Sequence, residues 1–162
     1  MHLSLSKKIF FLDLRTIPFN PYFLQSFNVL IPIVGKSILS ELGKELEKAN
    51  LKNKKCFFIS DKSMFPKQTK KVHEVLESQG FITNSLSLEF SEELKNYNTV
   101  SKIYNWLAEM KVERKDFLIS MGGGVAGDII GFAASTYLRG IPFVQIPTTL
   151  ASMTDAAIGG KV

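Results

Sequence analysis

The stretch that decides the fold is SMGGGVAGD, residues 120–128. Gly122, Gly124 and Gly127 satisfy the pattern G-x-G-x-x-G, and the apolar run DFLISM (116–121) leads into them. A strand that passes through glycines into a helix directs backbone N–H groups and a helix amino terminus at one point, which suits a phosphate. The stretch therefore predicts a strand, an anion-binding turn and a helix, in that order.

The rest of the chain alternates in the same way, with apolar runs followed by segments of helical periodicity. The predicted strands are 28–34, 55–60, 81–88, 116–121 and 141–146, and residues 1–27 are an N-terminal extension or strand. The predicted helices are 36–49, 66–79, roughly 93–110, and 125–138. This alternation predicts an α/β fold with a Rossmann-like, doubly wound and mostly parallel sheet.

Several polar or flexible positions fall where predicted strands end, which is where such sheets bind ligands. Asp61 follows one strand, the glycines follow another, and Pro147–Leu150 follows a third. The usual dinucleotide fingerprint also needs an acidic residue about 20 positions after the glycines. Residues 129–154 contain no Asp or Glu, so Asp61 is the candidate for holding a ribose.

Charge is scarce in the last quarter of the chain, where residues 121–162 carry only Asp128, Arg139, Asp155 and Lys161. A segment with so few charges is expected to be buried, and each charge then needs an ion-pair partner or a ligand. Asp128 falls in the first turn of the predicted helix. Two interpretations of Asp128 remain open: it stabilises the start of the helix through the helix dipole, or it belongs to the ligand site.

Composition excludes other classes of protein. The 162 residues are 45% hydrophobic and 22% charged, and the formal net charge of +5 comes from dispersed lysines, so nucleic-acid binding is not expected. No run reaches 18 apolar residues, so no membrane span is expected, and the default location is the cytoplasm. The single cysteine, Cys56, lies in an apolar run and is predicted to be a buried, inert thiol. No metal-ligand spacing is present, and His73 is predicted to be exposed on a lysine-rich helix.

A resemblance to a known family rests on the run GGGVAGDIIGFAASTYLRGIPFVQIPTTLASMTDAAIGGKV (122–162). It closely resembles the core of the 3-dehydroquinate synthases, which show GGGV-x-GD, A-x-x-Y-x-RG, PTTL and D-x-x-x-GGKT. Upstream, SEELK (91–95) resembles the family's GE-x-x-K. Three positions depart from the family: Ser63 replaces a frequent Asn, Ser91 replaces Gly, and Val162 replaces Thr.

The resemblance implies that residues 1–162 form the N-terminal NAD-binding domain of such an enzyme. Residues 151–162 would begin the connection to a helical metal- and substrate-binding domain. The family uses NAD and a divalent metal, zinc or cobalt, to convert the sugar phosphate 3-deoxy-arabino-heptulosonate 7-phosphate to 3-dehydroquinate with loss of phosphate. By resemblance the full-length enzyme is a homodimer. Because the family's metal ligands lie beyond this stretch, the resemblance implies that these residues alone are inactive. We expect them to bind NAD weakly or not at all by themselves, because in the family the second domain closes the cofactor cleft.

The resemblance also implies roles for individual residues. Asp61 would hold the adenosine ribose, Lys161 would reach the substrate as a catalytic residue, and Asp155 would approach the nicotinamide. The remaining implied cofactor-binding residues are Glu92, Lys95, Gly123, Gly124, Val125, Asp128, Thr148, Thr149 and Leu150.

Three alternatives stay open from the sequence. One is another sugar-phosphate cyclase, such as a deoxyinosose or valiolone synthase, which shares the NAD chemistry. A second is a non-catalytic NAD-binding module. The metal-dependent glycerol and alcohol dehydrogenases rank lower, because they usually carry GGGS where this chain has GGGV (122–125).

Overall fold

A six-stranded sheet forms the centre of the computed structural model, which describes residues 8–13, 30–35, 38–63 and 66–158. The strands are β1 (Lys8–Asp13), β2 (Leu30–Gly35), β3 (Cys56–Asp61), β4 (Thr83–Leu88), β5 (Phe117–Gly122) and β6 (Phe143–Pro147). Their order across the sheet is β2-β1-β6-β5-β3-β4, and every paired neighbour is parallel. The predicted α/β class and Rossmann-like parallel sheet are therefore confirmed.

Four α-helices cover the two faces of the sheet: α1 (Leu42–Lys48), α2 (Pro66–Ser78), α3 (Tyr97–Glu109) and α4 (Gly124–Thr136). Short 3-10 turns occupy Ile38–Glu41, Glu92–Leu94 and Tyr137–Arg139, and a π-helical turn occupies Ser152–Ala156. None of the helices in the described ranges has the length and apolar character needed to cross a bilayer.

Alternate residues of the central strands feed two separate apolar layers, because successive side chains of a strand point to opposite faces. Phe58 and Ile119 pack with α1 and α2, whereas Phe57 and Leu118 pack with α3 and α4. All four side chains are fully buried. Strands covered on both faces read as continuous apolar runs, as 56–59 and 117–119 do. Cys56 is fully buried in the first of these layers, as predicted.

Helix ends follow local capping chemistry. Gly80 follows α2 with a φ of +83°, a left-handed conformation that glycine adopts without strain. Asn96 caps α3, since its side chain accepts hydrogen bonds from the N–H groups of Asn98 and Thr99.

Three predictions need correction. The helix predicted at roughly 93–110 begins only at Tyr97, because Asn96 is its cap and residues 92–94 form a separate 3-10 turn. The helix predicted at 125–138 ends at Thr136, since Leu138 turns to a φ of +51°. His73 is half-buried and not exposed: its ring packs edge-on against Phe58 with centroids 4.8 Å apart.

Candidate functional site at the carboxyl edge of the sheet

The ends of β3, β5 and β6 meet at one edge of the sheet. Gly122, the last residue of β5, pairs with Pro147, the last residue of β6. On the other side of β5, Ser60 pairs with Met121, which brings Asp61 level with Gly122. The three strand ends predicted to carry the site are therefore adjacent, with the glycine loop in the middle.

The glycine loop lies close to its neighbours, and the approach is tightest at Gly122. A Cβ atom on Gly122 would lie 2.6 Å from the Cβ of Ala126 in α4. One on Gly123 would lie 3.3 Å from Cγ2 of Thr149, and one on Gly124 would lie 3.4 Å from the Cβ of Ala156. The absence of side chains leaves the backbone of the loop accessible to a ligand at the amino end of α4.

Gly127 serves the packing of α4 against the sheet. A Cβ atom there would overlap Nε2 of Gln145, a buried residue of β6. A side chain at residue 127 would have to displace the amide group of Gln145, so the glycine favours the close approach of the helix to the sheet. This close approach fixes the direction in which the amino end of α4 points.

Asp61 ends β3 beside this loop, and the structure places its Cβ 3.5 Å from where a Cβ on Gly122 would be. Its Oδ1 atom accepts a hydrogen bond of 2.9 Å from the N–H of Ser63, which holds the carboxylate in a turn. The residue is half-buried. A carboxylate so placed is suited to accept hydrogen bonds from ribose hydroxyls, which is its predicted role.

Lys95 and Asp128, two further predicted residues, form an ion pair with 2.7 Å between Nζ and Oδ2. The hydrogen bond to Asp128 raises the pKa of Lys95 above its ordinary value, against a smaller lowering by desolvation. Glu92, in the 3-10 turn before Lys95, is exposed. The two predicted segments, 91–95 and 122–128, are thus joined at their side chains.

The segment after β6 contains the other predicted cofactor contacts. The N–H of Thr148 donates to the carbonyl of Gly122 at 3.0 Å, which ties this segment to the glycine loop. Thr149 and Leu150 are exposed, Leu150 to 60%. Asp155 is exposed in the π-helical turn, near the start of α4, and Val125 in the first turn of α4 is half-buried. Lys161 lies outside the described residues.

A groove of about 630 Å³ runs between α3 and α4, away from the strand ends. Lys95 and Asp128 lie among its lining residues, and Val100, Ile129 and Phe132 contribute apolar surface. Phe132 is 43% exposed. The groove thus adjoins the ion pair but extends along the helices.

For a divalent metal, the ranges described contain no group of three His, Cys, Asp or Glu side chains close enough to coordinate one. The described residues therefore do not fit a metal centre. The glycine cradle and Asp61 do fit a dinucleotide, because open backbone N–H groups and a strand-end carboxylate match its phosphates and ribose.

Two features of the site were not predicted from the sequence. The Lys95–Asp128 pair joins residues 33 positions apart, and nothing in their local patterns links them. Asn96, which fixes the backbone beside Lys95, was absorbed into a predicted helix. An Asn just before the helical periodicity of 97–109 is a cap signal that could have identified it.

Comparison with known proteins identifies relatives of this chain. Residues 85–162 match the family model described as 3-dehydroquinate synthase N-terminal. The chain is 42% identical over 130 residues to a 3-dehydroquinate synthase of Clostridium botulinum, covering 80% of this chain and 37% of the relative. The chain thus spans little more than a third of the length of the curated relatives it matches.

Solved structures of sugar-phosphate cyclases share the fold. A 2-epi-5-epi-valiolone synthase from Streptomyces hygroscopicus subsp. jinggangensis, with NAD⁺ and Zn²⁺ bound, superposes with a TM-score of 0.68 at 26% identity. The match covers 88% of this chain and 38% of that one. A 2-deoxy-scyllo-inosose synthase, in complex with carbaglucose-6-phosphate, NAD⁺ and Co²⁺, superposes with a TM-score of 0.69 at 22% identity, over 75% of this chain and 32% of that one. The chain is homologous to the N-terminal part of the 3-dehydroquinate synthases.

Proposed function

We propose that this chain supplies the NAD-binding part of a 3-dehydroquinate synthase, which cyclises 3-deoxy-arabino-heptulosonate 7-phosphate to 3-dehydroquinate with loss of phosphate. One observation carries the proposal: residues that match the family's motifs, from three separate parts of the sequence, converge at one edge of the sheet. Asp61, Gly122–Gly124 and Thr148–Thr149 lie together there. The 42% identity with curated 3-dehydroquinate synthases supports this reaction over that of the more distant valiolone synthase.

The chemistry that NAD⁺ supplies when bound is reversible removal of a hydride from a substrate hydroxyl, which acidifies the adjacent C–H bond. The described residues bind and orient the dinucleotide. Gly123, Gly124 and Val125 offer N–H groups to its pyrophosphate at the start of α4. Asp61 accepts hydrogen bonds from the ribose hydroxyls, and Lys95 brings a positive charge to the same edge.

The segment that follows β6 completes the cofactor's surroundings. Thr148 and Thr149 offer hydroxyls beside the glycine loop, and Leu150 offers an exposed apolar side chain. Asp155 lies in the π-helical turn and would approach the nicotinamide end of the bound cofactor. Lys161 would contact the sugar phosphate, and a divalent metal would be held by residues other than those described.

The test is enzymatic and uses the polypeptide as its gene encodes it, with NAD⁺, a divalent metal and 3-deoxy-arabino-heptulosonate 7-phosphate. We expect release of inorganic phosphate together with formation of 3-dehydroquinate, and loss of both when Asp61 is replaced by Ala. Glu113→Gln, at the opposite edge of the sheet, is the matched control and should retain activity. Binding of NAD⁺ without turnover of this substrate would refute the assigned reaction and leave a cofactor-binding role.

A further inference from the structure

The last strand of the sheet, β4 (Thr83–Leu88), has a neighbour on one side only, because it pairs with β3 alone among the described residues. The N–H of Cys56 in β3 donates to the carbonyl of Ile82 at 3.0 Å. Backbone groups alternate in direction along a strand, so every second residue from Ile82 onward directs its N–H and C=O groups at β3. The residues between them direct these groups away from the sheet and form what we call the outer side of β4: Thr83, Ser85 and Ser87.

The outer side of β4 lacks the usual protection of an open strand. Natural proteins commonly guard such a strand with charged residues or proline, and the sequence TNSLSL has neither. Ser85 and Ser87 are exposed, so the neighbouring helix α2 does not cover them. Ile82, immediately before the strand, is a large apolar side chain that is 71% exposed. Open backbone groups beside exposed apolar surface favour the addition of another strand.

An antiparallel pairing with β4 of a second copy of the chain satisfies these groups in one register. When Ser85 lies opposite Ser85 of the second copy, Thr83 lies opposite Ser87, and their outward N–H and C=O groups meet as hydrogen-bonded pairs. The same register places Ile82 opposite Leu88 in a non-hydrogen-bonded pair, where side chains approach most closely. Leu88 is half-buried at the border of an apolar layer. The exposed isoleucine thus gains an apolar partner without a change of fold.

The helix beside this strand, α2, carries charges of opposite sign in its two halves. Lys70 and Lys71 lie in the first half, Glu74 and Glu77 lie in the second, and all four are exposed. Glu77 lies next to β4, since its Oε1 atom accepts a hydrogen bond of 3.4 Å from the hydroxyl of Thr83. The two-fold axis of the paired strands brings the first half of α2 toward the second half of α2 in the other copy. The charges on this surface are therefore complementary to themselves.

The geometry points to β4 as a self-association strand: two copies of this chain pair antiparallel about Ser85 and join their sheets into one. The inference goes beyond the proposed function and does not depend on it, because the outer side of β4 faces away from the strands that carry the glycine loop. One pair of strands is a small interface, so we expect micromolar rather than nanomolar association.

Sedimentation velocity over a concentration series measures this association in the polypeptide as its gene encodes it. Ser85→Pro removes the central outward N–H and should weaken association at least about tenfold. That N–H makes no bond to β3, so proline should be tolerated, as it is in other outermost strands. Ser85→Ala keeps the backbone donor and is the matched control, which should associate like the unaltered polypeptide.

Two further measurements test the side chains and the register. Ile82→Lys places a charge opposite Leu88 and should weaken association about tenfold, whereas Ile82→Val should change it less than about twofold. Ser85→Cys should cross-link to its own copy through a short bifunctional maleimide, because Cys56 is buried and does not compete. Arg114→Cys, an exposed position two strands away before β5, should not cross-link.

The inference is overturned if folded Ser85→Pro and Ile82→Lys both sediment like the unaltered polypeptide at every concentration. It is also overturned if Ser85→Ala weakens association as much as Ser85→Pro does, since the backbone would then not be the contact. Equal cross-linking at positions 85 and 114 would contradict the register. Urea unfolding shows whether each variant is folded, and if Ser85→Pro is not, Ile82→Lys and the cross-linking decide. The proposed function stands or falls separately, by NAD⁺ binding and turnover.

Discussion

Replacing Gly122 by Ala should destabilise the protein far more than the same change at its neighbour Gly123. The added methyl of Gly122→Ala would lie 2.6 Å from the Cβ of Ala126. Carbon atoms normally pack at about 3.5–4.0 Å, so the shortfall is about 1 Å. Neither methyl can rotate away, because each is attached directly to the backbone. The strand end or the helix must therefore move, which costs about 1–3 kcal/mol of unfolding free energy.

Gly123→Ala is the matched control in the same loop. Its methyl would meet Cγ2 of Thr149 at 3.3 Å, and Thr149 is an exposed side chain that can turn aside. The backbone of Gly123, with φ −75° and ψ −171°, is open to alanine. Alanine restricts the unfolded chain more than glycine does, but it is also a poorer N-cap, and Gly123 is the N-cap of α4. We expect the two effects to leave the unfolding free energy within about 1 kcal/mol of the wild type.

Urea unfolding, followed by the fluorescence of Trp106, the single tryptophan, measures both variants. A second substitution sharpens the test, since Ala126→Gly removes the atom that Gly122→Ala meets. We expect Gly122→Ala to cost at least about 1 kcal/mol less in the Ala126→Gly background than in the wild type. Equal midpoints for Gly122→Ala and Gly123→Ala, or strict additivity in the double variant, would refute the packing of this loop.

Three further substitutions or probes test the surrounding structure. Asp116→Ala should lower the unfolding free energy by about 1–3 kcal/mol, measured by urea unfolding. The buried carboxylate accepts hydrogen bonds from the backbone N–H groups of Lys55 at 3.2 Å and Glu113 at 2.9 Å, and the variant loses both. An unchanged unfolding free energy would contradict this role. Asn96→Ala should lower the unfolding free energy by about 1 kcal/mol, because it removes the cap of α3. Asn96→Asp keeps a capping oxygen and should lower it little. Equal losses in the two variants would argue against capping. Burial raises the pKa of the Cys56 thiol, so a thiol reagent should modify it only in denaturant. Prompt modification of the folded protein would show that β3 is accessible and would contradict this burial.

The sequence was most informative where local chemistry and fold agree. Apolar runs that end in Asp61, Gly122 and Pro147 predicted three strands within one or two residues of β3, β5 and β6. Parallel pairing then required their ends to share an edge, which the register confirms.

Features that depend on contacts between distant residues could not be predicted from the sequence. The pairing of Lys95 with Asp128 arises from the placement of α3 beside α4, and no local pattern encodes it. The half-burial of His73 has the same origin, since the partners of its ring, Phe58 and Thr83, belong to two neighbouring strands. The start of α3 was misjudged for a local reason, because its helical periodicity extends backwards through the cap at Asn96.

Binding of a dinucleotide at the carboxyl edge of the sheet is tested most directly by amide chemical shifts during titration with millimolar NAD⁺, which report even weak binding. We expect the largest changes at the amides of Gly123, Gly124 and Val125, with smaller ones at Asp61 and Thr148. The amides of Glu113 and Lys115, at the opposite edge, should not change. Unchanged glycine-loop amides, or changes confined to the opposite edge, would contradict the claim.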